Sequence, residues 1–176
     1  MTTSQPKKDY QSVSSSGEYV QPLIDGVRLH YVHTHVDERG SLCEIFNPAW
    51  NFHEAPLVYI YQMTIRPYHV KGWSMHQEQD DRIFHSLGSV KIVLYDDRPE
   101  SPTYRMINEI YMSEYRRGLI IFPHHVYHAI QNIGDKDAVM LNMPTKAYNH
   151  SNPDRYRLPL ANDVINYRFD VHNPGW

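Results

Sequence analysis

The chain is 176 residues long, enough for one domain with its own apolar core and short for two. A formal net charge of −3 leaves no electrostatic footprint for nucleic acid or an anionic membrane, and no apolar run approaches a membrane span. The lone cysteine, Cys43, excludes an internal disulfide, and the N-terminus lacks the charged-then-apolar pattern of a signal peptide, so the expected location is the cytoplasm.

Residues 1–21 are polar and Ser-rich, with Ser14-Ser15-Ser16-Gly17, and read as a flexible arm before a single domain over 22–176. From Val27 the pattern changes to short strand-like runs. Val27–Val32 comes first. Ser41–Phe46 alternates, with Leu42, Glu44 and Phe46 on one side and Cys43 and Ile45 on the other, which makes Cys43 a packing thiol rather than a nucleophile. A short helical turn is expected over Asn51–His53. Strands follow at Leu57–Ile65, Arg82–Phe84, Val90–Tyr95, Tyr104–Met112, Leu119–Phe122 and Ala138–Met143. Turn signals punctuate them, among them Asp37-Glu38-Arg39-Gly40, Arg66-Pro67, Gly88, Arg117-Gly118 and Gly134-Asp135. Asn152–Arg155 reads as a second short helical turn. The polar segment from Tyr148 to Leu160 reads as an extended strip wrapping the domain or as a lid. Many short strands divided by turns, with no repeat of fixed period, predict an all-β sandwich or barrel.

Two segments make this more specific. In Gly118-Leu-Ile-Ile-Phe-Pro123-His-His125-Val-Tyr-His128-Ala-Ile-Gln-Asn132, a strand enters a proline turn and the next strand carries a histidine five residues after the proline. This resembles the second cupin motif, with His125 where that motif has glycine. Gly72-Trp-Ser74-Met-His76-Gln-Glu-Gln-Asp-Asp81, followed by Gly88, resembles the first. Ser74 takes the place of its first histidine, His76 of its second and Asp81 of its carboxylate, and strand alternation puts Ser74 and His76 on one face. The resemblance implies a cupin double-stranded β-helix, or jelly-roll barrel. His76, Asp81 and His128 would then be able to hold a divalent ion such as Fe(II). Trp50 and Trp73 read as packing residues.

A third segment, Asp37-Glu-Arg39-Gly40-Ser-Leu-Cys-Glu44-Ile-Phe46, together with Tyr95-Asp96-Asp97-Arg98 and Ser101-Pro102-Thr103, resembles the dTDP-4-dehydrorhamnose 3,5-epimerase family over roughly residues 27–165. That resemblance implies a metal-free isomerase acting on a nucleotide-linked 4-keto-6-deoxy sugar, and commonly a homodimer. It assigns Arg39 and Glu44 to the nucleotide-sugar site and Lys71 to the diphosphate. Tyr59 and Tyr61 correspond to the positions that read the base and the sugar.

The catalytic positions depart from the family. Ser74 stands where the family has its histidine base, and Asn142 where it has its tyrosine acid. Asp81 stands at the enolate-stabilising lysine, and the carboxylate supporting the family's base has no counterpart. His76 is the expected substitute base, with Tyr148 or His128 the acid. Ser74, Asn142, Tyr59 and Tyr61 are expected to complete a polar, aromatic-lined pocket. Two alternatives stand beside this expectation. One is a metal-dependent cupin acting on a small organic substrate through His76, Asp81 and His128. The other is a non-catalytic sugar-nucleotide binder.

Overall fold

The computed structural model describes Lys8, residues 11–15 and residues 20–170. Most of the expected arm, residues 1–21, lies outside the described residues. Twelve strands follow in chain order: β1 Arg28–Tyr31, β2 Thr34–Asp37, β3 Gly40–Cys43, β4 Tyr61–Ile65, β5 Val70–Met75, β6 Asp81–Leu87, β7 Ser89–Asp96, β8 Ile107–Ser113, β9 Gly118–Phe122, β10 Val126–Asn132, β11 Ala138–Asn142 and β12 Tyr156–Arg157. Ten of them form two five-stranded antiparallel sheets, ordered β1-β9-β6-β11-β4 and β12-β5-β10-β7-β8. The fold is the expected all-β jelly roll of the cupin type. Among the described residues no helix is long and apolar enough to cross a membrane.

Period-two alternation decides which side chains meet between the sheets. Along β7, Val90, Ile92 and Leu94 enter the central core with Ile83, Ile110, Ile120, Phe122, Ile130 and Met140, while Val93 and Tyr95 face the other way. That outer face is not left to water. Trp73, fully buried, packs there with Val93, Ala129 and Ile165, and Leu158, Leu160, Tyr167 and Phe169 cover it. The segment after residue 148 therefore wraps the barrel, as one of its two expected readings holds.

Two runs begin later than their expected bounds, and a buried polar group anchors the chain beside each. Leu57–Ile65 begins to pair only at Tyr61. The stretch before it is held by the buried Arg82 guanidinium, which donates to the carbonyls of Ala55 and Pro56 while Nε donates to Met143. Tyr104–Met112 begins pairing at Ile107, because residues 101–105 form a turn around Asp96. That carboxylate accepts from Ser101 Oγ and Thr103 Oγ1, both at 2.6 Å, and from Arg98 Nε at 2.7 Å. Burial opposes its charge, and the bonds from Arg98, Ser101 and Thr103 overcome burial and bring its pKa down to about 2. The Ser-Pro-Thr signature is thus scaffold chemistry. The helical turn expected at Asn51–His53 lies earlier, as a 3-10 turn over Pro48–Trp50 capped by Asn47 and closed by a left-handed Asn51. Residues 152–155 form no helix.

The hairpin of β2 and β3 joins neither sheet. Val36 and Leu42 on it are 76% and 66% exposed. Cys43, at its base, is half-buried against the cluster of Phe84, Leu119 and Met143, as expected of a packing thiol.

One close approach fixes how β5 crosses β10. Gly72 has φ +144, and a Cβ on it would fall 2.4 Å from Ala129 Cβ and 2.5 Å from Ala129 Cα. Substituting Gly72→Ala meets backbone rather than a movable side-chain tip. It is expected to cost about 3 kcal/mol or more, read as a lowered midpoint in urea denaturation.

Candidate active site

A cavity of about 610 Å³ opens between the sheets. Tyr61 and Met63 of β4, Ile83 of β6 and Asn142 of β11 line it from one sheet. Lys71, Gly72 and Ser74 of β5, with His128 and Ile130 of β10, line it from the other. His76 and Asp81 flank the turn between β5 and β6, and Arg155 and Arg157 reach the cavity from the wrapping segment. Ser74 and His76 share the inward face, as alternation requires.

Asp81 is 2% exposed and is the electrostatic centre of the cavity. Its Oδ2 lies 3.3 Å from His76 Nε2 and 3.8 Å from His128 Nε2, and Gln79 Nε2 donates to Oδ1 at 3.3 Å. The two imidazoles stack with centroids 5.5 Å apart. Burial alone would push the Asp81 carboxyl up. Its bond to His76, the charges of both histidines and the Asn142 amide reverse this and hold it below the usual carboxylate range.

The two histidines are pushed in opposite directions. His76 Nδ1 faces the backbone carbonyl of Asp154, and Nε2 faces the ionised Asp81; both partners only accept. Burial works against a charge on His76, but Asp81 and the Asp154 carbonyl outweigh it and raise its pKa above the ordinary imidazole value. Both ring nitrogens of His76, the base expected from the sequence, thus face acceptors, an arrangement that favours the charged imidazole. Complete burial dominates at His128 and takes its pKa down to about 4, against the pull of Asp81. His128 is neutral near pH 7 and rests on Phe122, with ring centroids 4.6 Å apart.

Tyr61 and Asn142 are direct cross-strand partners, and Asn142 Nδ2 donates to the Tyr61 hydroxyl at 2.8 Å. Burial, then the nearby Asp81 charge, push the Tyr61 phenol up to about 12, so it keeps its proton. Lys71, Arg155 and Arg157 give the cavity mouth a positive character. Burial first, and the like charge of Arg155 second, pull the Arg157 pKa down, a crowding that an anion would relieve.

The expected site residues divide into two groups. His76, His128, Tyr61, Lys71, Ser74, Asn142 and Asp81 meet in the cavity. Arg39, Glu44, Tyr59 and Tyr148 do not line it. Arg39 sits in the β2–β3 turn, paired with Asp37, its side chain 82% exposed. Glu44 lines a separate depression with His30, His33 and His35 and accepts from Asn47. The Tyr59 ring lies 5.7 Å from that of Tyr61, and the Tyr148 ring meets that of His150 edge-on with centroids 4.9 Å apart.

Three residues of the site were not expected. Arg155 and Arg157 belong to the wrapping segment, and their alternation around β12, paired to β5, was a usable signal. Asp154 has two tasks: its carbonyl takes His76 Nδ1, and its carboxylate accepts from the backbone N–H groups of Gln77 and Glu78 at 2.9 and 2.8 Å. A carbonyl leaves no trace in sequence. The altered cupin turn is also explained: His125 adopts φ +62, a glycine-like conformation, and its N–H donates to the His76 carbonyl at 2.7 Å.

His76, Asp81 and His128 offer donor atoms within 4.8 Å of one another, the two-histidine, one-carboxylate set that suits a divalent ion with open positions. His76 would have to release its Nε2 proton to serve as such a ligand.

The model of the dTDP-4-dehydrorhamnose 3,5-epimerase family matches residues 21–163. The chain belongs to that family. It is a family of sugar-nucleotide epimerases, and a relative from Haloferax volcanii, named as the probable low-salt glycan biosynthesis epimerase Agl13, is 32% identical over 140 residues, 78% of this chain and 89% of that protein. Among solved structures, a dTDP sugar isomerase from Desulfovibrio desulfuricans superposes with a TM-score of 0.76 at 21% identity, covering 82% of this chain and 90% of the other. The dTDP-4-dehydrorhamnose 3,5-epimerase of Bacillus anthracis, solved with TDP and pyrophosphate bound, gives 0.75 at 14% identity over 88% and 91%. At such identities the two structures speak for the fold.

The opposed histidines set this epimerase's acid–base stability. Unfolded, His128 takes a proton below about pH 6.5; folded, it resists until about pH 4, so stability falls over that interval by roughly 3 kcal/mol. The raised pKa of His76 stabilises the fold below 6.5 and loses that contribution as pH rises through the folded value. The pair thus favours the fold most near pH 6.5. Urea midpoints at about pH 4.5 and 6.5 are expected to converge in His128→Asn relative to wild type.

Proposed function

We propose that this cavity epimerises a nucleotide-linked 4-keto-6-deoxy sugar by moving a proton on and off a carbon beside the ketone. The observation that carries the reading is the pair of histidines facing a single buried carboxylate oxygen, with His76 pushed towards the charged form and His128 towards the neutral one. Neutral His128 has a lone pair to accept the carbon-bound proton. The His76 imidazolium places positive charge beside the enolate that forms, the task for which the family's lysine is missing. Asp81 keeps the second positive charge on His128 tolerable once the proton arrives. Lys71, Arg155 and Arg157 are positioned to take a diphosphate; the Bacillus anthracis relative was solved with TDP and pyrophosphate.

Arg39 and Glu44 lie away from the cavity of their own chain, on or beside a hairpin that leaves Val36 and Leu42 exposed. A second copy accepting that hairpin would bury those side chains and bring Arg39 to a neighbouring site, so we read the working form as a homodimer. Light scattering is expected to give about twice 20.8 kDa, and Val36→Glu with Leu42→Glu to give the monomer mass. The free Cys43 and an activated-sugar substrate fit a cytoplasmic enzyme.

Incubation with dTDP-4-keto-6-deoxyglucose in heavy water tests the reaction. The C3 or C5 proton signal is expected to disappear from the NMR spectrum, and His128→Gln to slow that loss on the order of 100-fold or more. Tight nucleotide-sugar binding without exchange would leave a non-catalytic binder. A second reading follows from the donor geometry of His76, Asp81 and His128, that they hold a divalent ion. Stoichiometric metal in purified protein, with activity lost on chelation, would favour it.

A further inference from the structure

Inverting a carbon centre requires that the proton leave from one face and return to the other. Base and acid must therefore stand on opposite walls of the cavity. His128 stands on β10, in the sheet ordered β12-β5-β10-β7-β8. The opposing sheet, β1-β9-β6-β11-β4, contributes Tyr61, Asp81, Ile83, Met63 and Asn142 to the cavity. Asp81 is ionised and occupied by the histidines, and an amide is no proton donor near neutral pH. Of the side chains this wall presents, Tyr61 alone carries a proton it can give.

Its hydroxyl is also prepared for that task. Asn142 Nδ2 donates to the phenol oxygen, so the oxygen accepts from the protein and its own O–H is not spent on Asn142. Among the described residues no acceptor takes that proton. The nearby Asp81 carboxylate, which only accepts, favours the same orientation of the amide. The β4–β11 register sets Tyr61 and Asn142 directly opposite each other. The position where the family has its tyrosine is here an asparagine, and the phenol stands one strand over, held by that asparagine.

We propose that Tyr61 is the catalytic acid that returns a proton to the face opposite His128, and that Asn142 is its positioning residue. The assignment rests on the epimerase reading. In the step, His128 takes the proton and the C–H electron pair passes to the ketone oxygen as an enolate. The Tyr61 O–H bond then breaks, a C–H bond forms on the opposite face, and the electron pair returns to restore the ketone. The phenolate left behind is stabilised by Asn142 Nδ2–H and the nearby Arg155 charge and regains a proton from water, as His128 releases its own.

The test separates exchange from inversion. Wild type, Tyr61→Phe and Asn142→Leu are incubated with dTDP-4-keto-6-deoxyglucose in heavy water. The products are trapped by borohydride reduction and their configuration is read by NMR. Tyr61→Phe is expected to keep deuterium incorporation within a few-fold of wild type, with retention, and to lose inverted product on the order of 100-fold. Asn142→Leu is expected to lower inversion more than exchange. Inversion at the wild-type rate in Tyr61→Phe, or equal loss of exchange and inversion in both variants, would overturn the assignment while leaving the epimerase reading in place. Absence of exchange in wild type would overturn that reading and this assignment with it.

Discussion

A carboxylate buried at the heart of a barrel must be matched by cations or hydrogen-bond donors, and Asp81 imposes that demand on everything around it. It begins β6, so it cannot retreat to solvent. The answer comes from both sheets at once: His76 after β5, His128 on β10 and the Asn142 amide on β11. At rest one carboxylate facing two imidazoles favours the charge on one of them, and burial weighs more heavily against it on His128. The chemistry of the cavity follows from that imbalance rather than from any single residue. The next residue, Arg82, points to the other side of the same strand and fastens the approach to β4 by its carbonyls. Adjacent residues thus set the inside of the site and the frame outside it.

The jelly roll turns sheet membership into stereochemistry. Two facing walls of different strands can each offer a proton-handling group, and a flat sugar ring between them exposes one face to each. The identity of the groups can drift from strand to strand while the two walls persist. Here the serine at the position of the family's base and the asparagine at that of its acid sit beside histidines and a tyrosine supplied by neighbouring positions. The scaffold signatures, such as the hydroxyl cage around Asp96, hold the loop that lets β7 and β8 pair, and they are independent of which residues do the chemistry.

Much of this was legible in the chain itself. The proline turn and apolar runs around Pro123 marked β9 and β10, and simple alternation put Ser74 beside His76. Where strands were drawn too long, at Leu57 and Tyr104, the error was the same: a buried polar group claimed carbonyls or hydroxyls before the ladder could. The role of Tyr61 depends on register with β11, and register is a long-range property that no local pattern states. The protonation of His76 depends on a carbonyl and on depth, neither written in residue identity. Tyr148 was expected as an acid and Tyr61 as a substrate contact, and only the path of the wrapping segment sets the Tyr148 ring against His150.

Asp154 joins the wrapping segment to the site at two points, one on the imidazole and one on the turn beyond it. Lifting the segment away would remove an acceptor from His76 and two arginines from the mouth in a single motion. The strip that wraps the barrel is thus also a structural part of the site's acid–base set: the same residue that anchors its path across the β5–β6 turn supplies an acceptor to the imidazole.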